Sequence, residues 1–277
     1  MMSPTPNPAL QAVVFDWAGT IVDFGSRAPM AAFVELFQRH GVAITIAEAR
    51  VPMGLAKWDH IHALGHAPRI AAEWLRVHGR AFSDADCDEL YRVFTPMNAE
   101  SVRHHAALIP GALATVQALR AQGLKIGSTT GYNRPIMDAL VPLAAAQGYA
   151  PDNLVCAGDM DSARPGPLMM VRTLSDLQVW PPQAVIKVDD TVPGLHEGLA
   201  VGCWTVGLAA TGNMLGLSQE EWKALGATQQ QRLRAEATAE LRRGGAHYVI
   251  DGVADLLPVV DDIRARLARG ERPGATA

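Results

Sequence analysis

Several residue groups in this chain of 277 could do chemistry together. Asp16 follows a short β-branched run, Gln11-Ala-Val-Val-Phe15. Thr129-Thr130-Gly131 closes a second such run, and Asp189-Asp190 a later one. Arg164 lies in the loop Ala163-Arg164-Pro165-Gly166-Pro167. Carboxylate oxygens suit a hard cation such as Mg²⁺. A phosphoryl group wants N–H donors and positive charge. An acid, a hydroxyl with backbone amides, a cation and paired acids can therefore hold both. Taken singly, each has a plainer use: Asp16 as a turn residue, the threonines as a helix cap, the paired acids in a solvated turn, Arg164 in a surface ion pair. Their shared place at strand ends argues for joint use, because independent caps need not share it.

The elements that must position them alternate. Strands are expected over 11–15, 125–129, 154–157, 184–188, 203–206 and 248–250. Helices are expected between them, over 112–122, 134–147, 166–177, 192–200, 218–225, 228–243 and 253–269. That alternation implies an α/β fold, a Rossmann-like doubly wound parallel sheet covered on both faces. Ligands of such sheets collect outside the carboxyl ends of the strands. Residues 27–103 differ. Met30, Phe33, Val34 and Phe37 follow the spacing of one helix face. Thr45-Ile-Ala-Glu48 reads as a capping box. Residues 54–64, 68–78 and 83–103 also read as helical, with no strand between them. The expected organisation is a core of 1–23 and 106–277 with a helical insert of 24–105, folding as separate units. A loose arm over 1–10 and a disordered end over 272–277 complete it.

Composition narrows the functions. The chain is 49% hydrophobic and 19% charged, enough for a sizeable core. Its 24 basic and 28 acidic residues give −4. That balance argues against a nucleic-acid footprint or a polybasic membrane surface. No apolar run reaches the ~20 residues that span a bilayer. The first basic residue is Arg27, so no charged leader precedes an apolar stretch. Cys87, Cys156 and Cys203 are few, show no metal spacing and read as reduced thiols of a cytoplasmic protein. Lysines stand only at 57, 125, 187 and 223, and chemistry that needs a neutral amine cannot use Arg.

The motifs resemble the haloacid dehalogenase superfamily. Phe15-Asp16-Trp17-Ala18-Gly19-Thr20 is similar to its nucleophile loop, Ser128-Thr129-Thr130-Gly131 to its hydroxyl motif, and Val188-Asp189-Asp190 to its metal motif. The helical insert resembles its mobile cap. One departure matters. Phosphatases and mutases of the superfamily usually carry an acid two residues after the nucleophile, and here that residue is Ala18. Breaking a P–O bond benefits from that proton. A carbon leaving group needs another device. Met53-Gly-Leu-Ala-Lys57-Trp-Asp-His60-Ile61 offers one. A lysine among apolar neighbours loses basicity, and a neutral amine forms an imine with an aldehyde. The protonated imine then takes up the electrons of a breaking C–P bond. The plainer use of Lys57 is a helix lysine reaching for solvent.

Together these segments resemble the phosphonoacetaldehyde hydrolases over roughly 11–265. The resemblance implies that Asp16 attacks phosphorus and Lys57 forms the imine. It implies that Thr130, the Gly131 amide and Arg164 hold the phosphoryl group. Asp16, the Ala18 carbonyl and Asp189-Asp190 would hold one Mg²⁺ per subunit, and Met53, His60 and Tyr132 would line the pocket. A homodimer through the cap is also implied. A second departure is Asp189 where some members have Gly, with Gly194 at a later acid position, so Asp190 is the stronger ligand candidate. Lys187 reads as an ion-pair partner. The alternatives are a sugar-phosphate phosphatase or phosphomutase of the same superfamily, or a non-catalytic binding protein.

Overall fold

The computed structural model describes residues 9–274. The expected arm over 1–10 falls outside them in its first eight residues, and the expected disordered end in its last three. The first strand is β1 (Ala12–Phe15). Five helices follow: α1 (Arg27–Arg39), α2 (Ile46–Arg50), α3 (Lys57–His66), α4 (Pro68–His78) and α5 (Asp84–His104). The chain then alternates through α6 (Ala112–Ala121), β2 (Lys125–Thr130), α7 (Arg134–Ala146), β3 (Val155–Cys156), α8 (Leu168–Leu177), β4 (Val185–Asp189), α9 (Val192–Val201) and β5 (Trp204–Leu208). It closes with α10 (Gln219–Ala224), α11 (Ala227–Arg243), β6 (Tyr248–Ile250) and α12 (Leu256–Ala268).

The strands form one parallel sheet in the order β3-β2-β1-β4-β5-β6. The α/β expectation therefore holds. Buried strands explain the β-branched runs, since both faces are covered. β1 lies at the centre, and its register sets the site. Phe15 pairs with Ser128 on one side and Val188 on the other. Asp16, Thr129 and Asp189 thus emerge level at the carboxyl edge. Side chains alternate along a strand. Thr129 and Asp189 share the face that carries Lys187, while Thr130 and Asp190 turn to the other side.

The helices between β1 and α6 bury apolar stripes against one another. α1 buries Met30, Phe33, Leu36 and Phe37. The Thr45 capping box forms, and Ser83 makes another with Asp86 at the start of α5. α5 packs on α1, on α3 and on α7 of the sheet layer. One apolar cluster runs from Phe15 and Trp17 through Phe33 and Phe94 to Ile136. Insert and core share a continuous hydrophobic interior. Among the described residues no helix is long and apolar enough to cross a membrane.

Element ends differ where backbone chemistry intervenes. The helix expected from 54 starts at Lys57, because Gly54 sits at φ 95°, outside helical space. The helix expected from 166 starts at Leu168, after the Pro/Gly loop. The strand expected over 154–157 is ladder-bonded only at Val155–Cys156.

Candidate active site

A cleft opens at the carboxyl edge, where β1, β2 and β4 end beneath the start of α3. Asp16 lies at its floor, 6% exposed, with its amide bonded to Val188 O at 3.1 Å. The loop after it is pinned by Trp17, whose indole N–H donates to Ser128 Oγ and whose ring meets Tyr149 edge-on at 5.3 Å. Ala18 lines the cleft, so the position two residues past Asp16 supplies only backbone. Thr130 and Gly131 line the opposite wall. Thr130 Oγ1 accepts from the Tyr132 amide at 3.1 Å.

Arg164 is buried and also lines the cleft, with Nη2 2.8 Å from Asp16 Oδ1, 3.3 Å from Asp189 Oδ2 and 3.2 Å from Glu197 Oε1. Burial works against its charge, but the carboxylates of Glu197, Asp189 and Asp16 outweigh it and raise its pKa. Lys187 Nζ joins the same cluster, 3.1 Å from Asp189 Oδ2 and 2.8 Å from Glu197 Oε1. The expected ion-pair role of Lys187 fits this placement. Glu197, on α9, has no motif around it and sequence reasoning missed it.

Asp16, Asp189 and Asp190 each offer an oxygen, and these lie within 4.8 Å of one another. Buried carboxylates this close disfavour each other's charge. Burial, then the charge of Asp189, pushes Asp16 up to about 6. Burial, then Asp16 and Asp189, hold Asp190 well above the usual carboxylate range. An all-oxygen set under mutual repulsion fits a hard divalent cation. The two neighbours differ in use. Asp189 Oδ1 accepts from the Thr191 amide at 3.0 Å and its hydroxyl at 2.7 Å. Burial opposes the charge of Asp189, yet Arg164 and Lys187 hold its carboxyl below the ordinary range. Asp190 lines the cleft, accepting from the Asn213 amide at 2.6 Å.

Lys57 is the first residue of α3 and is 4% exposed. Its Nζ lies 5.0 Å from the Tyr132 ring centroid and 5.7 Å from that of Phe33. No carboxylate among the described residues is within ion-pair reach of it. Burial pushes its pKa down to about 8, against the pull of Asp16. The segment before it touches the core. A Cβ on Gly131 would come 2.7 Å from Leu55 O, and one on Gly54 would strike the Thr191 hydroxyl. Glycine at both positions lets this segment pack closely on the core.

Met53 and Tyr132 line the cleft as expected of them. His60 does not. It is fully buried, stacked on Phe33 at 3.8 Å, with Nε2 2.8 Å from Ala49 O. Burial, then the charge of Lys57, holds it well below its ordinary pKa. The expected pocket residue is thus a neutral core histidine on the lysine-bearing helix. The cleft also contains Ser26, Pro29 and Thr191, which carried no chemical signal in the sequence.

Comparison with known proteins gives a consistent result. The profile of the haloacid dehalogenase-like hydrolases matches residues 10–202. A phosphonoacetaldehyde hydrolase of Paraburkholderia phytofirmans is 52% identical over 95% of this chain and 99% of its own. One of Aeromonas hydrophila is 49% identical over 97% of each. The crystal structure of a phosphonoacetaldehyde hydrolase-like protein from Oleispira antarctica superposes with TM-score 0.96 at 44% identity, covering 99% of this chain and 100% of that one. A β-phosphoglucomutase of Clostridium difficile shares the fold, with TM-score 0.64 at 16% identity over 93% of this chain and 98% of its own.

Proposed function

The chain belongs to the haloacid dehalogenase-like hydrolases, in the branch of the phosphonoacetaldehyde hydrolases, and on that premise we propose that it cleaves the C–P bond of phosphonoacetaldehyde through an imine on Lys57 and an aspartyl phosphate on Asp16. The observation that carries this reading is the buried lysine across the cleft from Asp16, with Ala18 where a phosphatase would keep its acid. With a pKa near 8, roughly a tenth of Lys57 is neutral at pH 7, against about one part in three thousand for a free lysine. The neutral amine adds to the substrate aldehyde and loses water, giving a protonated imine. The Asp16 carboxylate attacks phosphorus. The C–P electron pair flows into the imine, which becomes an enamine. Protonation at carbon and hydrolysis release acetaldehyde and the free amine. Water then cleaves the aspartyl phosphate, returning phosphate and Asp16.

The other residues orient and balance charge. Arg164, Thr130 and the Gly131 amide receive the phosphoryl oxygens. Asp16, Asp190 and the Ala18 carbonyl would hold Mg²⁺, with Asp189 behind them; the cation would offset the charge gathered between nucleophile and phosphoryl group. Met53 and Tyr132 exclude water from the imine. Residues 24–105 act as a cap that carries Lys57 to the core. Leu75 and Val77, exposed on α4, support a homodimer through these helices. Three buried, unpaired cysteines support a cytoplasmic setting.

The rival reading is a sugar-phosphate phosphatase or phosphomutase. The test is phosphate release from phosphonoacetaldehyde beside a panel of sugar phosphates. Selective turnover of phosphonoacetaldehyde, with acetaldehyde formed in equal amount, is expected. Preferential turnover of a sugar phosphate would overturn the reading.

A further inference from the structure

Glu197 has no place in the steps above, yet it is fully buried and meets Arg164, Lys187 and Thr129 through one oxygen. The hydrogen bonds around it can be assigned from donor inventory alone. Lys187 and Arg164 have only protons to give. Lys187 Nζ donates to Thr129 Oγ1 at 2.7 Å, and Arg164 Nη2 approaches the same oxygen at 3.2 Å and Thr129 O at 2.9 Å. The one hydroxyl proton of Thr129 must then go to Glu197 Oε1, which it reaches directly. The same Oε1 lies 2.8 Å from Lys187 Nζ and 3.2 Å from Arg164 Nη2. A single carboxylate oxygen therefore anchors both buried cations and the hydroxyl between them. Thr129 thus faces away from the cleft that its neighbour Thr130 lines.

We propose that Glu197 is a positioning residue for the phosphoryl site: it shares Arg164 with Asp16 and cancels the charge of Lys187. The proposal rests on the reading of Arg164 as a phosphoryl-binding cation. Without Glu197, two buried cations face Asp16 and Asp189 alone. Arg164, already 2.8 Å from Asp16 Oδ1, then closes on the nucleophile. A phosphoryl group must break that pair before it can bind, and the nucleophile is blunted. Lys187 has no such path to the cleft and contributes only its charge. Removing it together with Glu197 restores the balance.

Inorganic phosphate, as a competitive inhibitor, is the probe, with kcat measured on purified protein well below its melting temperature. Glu197→Gln is expected to weaken phosphate inhibition about tenfold or more and to lower kcat, as for a buried charge left unpaired. Glu197→Gln combined with Lys187→Met is expected to recover both to within about threefold, which rescue of packing alone would not do. Thr129→Val, which introduces no charge, guards against a Glu197 variant that does not fold; it is expected to weaken phosphate inhibition about threefold to tenfold. Arg164→Ala must abolish phosphate inhibition. If it does not, the phosphoryl-site reading and the proposal fall together. If it does, while Glu197→Gln or Thr129→Val leaves inhibition unchanged, or the double variant is no better than the single, the proposal alone is overturned.

Discussion

Lys57 Nζ stands 5.0 Å from the centre of the Tyr132 ring, with no carboxylate among the described residues in ion-pair reach of it. The ring favours the ammonium form, but burial is the larger effect and the amine is pushed down to about 8.

That shift predicts a pH dependence. Imine formation needs the neutral amine, so its rate must climb as pH rises towards 8 and level off above it. An unburied lysine would climb to about 10.4. Substrate-dependent inactivation by borohydride, followed from pH 6 to 10, reads this step. A rate still rising tenfold per unit above pH 9 would contradict the burial argument.

The acid cluster predicts an exchange between activity and stability. The pKa of Asp190 is raised in the folded state, so its charge is a cost there. Stability of the metal-free protein falls as pH rises from the unfolded value, near 3.9, towards the raised one. Asp190→Asn removes that cost. In EDTA at pH 7 the variant is expected to melt at least ~2 °C above the wild type. Mg²⁺ should raise the melting temperature of the wild type more than that of the variant, and should restore activity to the wild type alone. Equal Mg²⁺ responses would remove Asp190 from the metal site.

Asp16→Asn keeps the shape of the nucleophile and removes its charge. The loss of turnover should exceed the ~10²–10⁴-fold typical of one acid–base group. Circular dichroism and melting should show a folded protein. Near-normal turnover would end the nucleophile assignment.

Gly131 lies where the insert meets the sheet layer. An alanine Cβ there would come 2.7 Å from Leu55 O, so Gly131→Ala must push back the segment that leads into Lys57. Overpacking of this kind costs about 1–3 kcal/mol. A fall in kcat/KM of at least about tenfold is expected, since displacement of a catalytic group by about 1 Å is expensive. An unchanged kcat/KM would show that the segment yields freely.

The sequence revealed what lies on strands. Asp16, Thr130 and Asp190 were legible because parallel strands make β-branched runs and their ends must fall on one edge. The choice of Thr130 over Thr129 and of Asp190 over Asp189 came from family resemblance, not from the pattern of the residues themselves. Thr129 and Asp189 point to the buried charge cluster, and only the register of β1 against β2 and β4 decides this. Glu197 was hidden because a helix glutamate in His-Glu-Gly reads as solvated. His60 misled for the opposite reason: three residues past Lys57 on a helix it could face the cleft, but stacking on Phe33 turns it into the core. Gly54 shortened a helix whose apolar pattern ran through it.

The central claim is that Lys57 is an electron-sink amine and not a cation for the phosphoryl group. Borohydride in the presence of phosphonoacetaldehyde, followed by peptide mapping, tests it most directly. The wild type should be inactivated, with an ethyl or phosphonoethyl mass on the peptide that holds Lys57. Lys57→Arg should be unlabelled and nearly inactive, because a guanidinium forms no imine at neutral pH. A label on Lys125, Lys187 or Lys223, or an active Lys57→Arg enzyme, would contradict the mechanism.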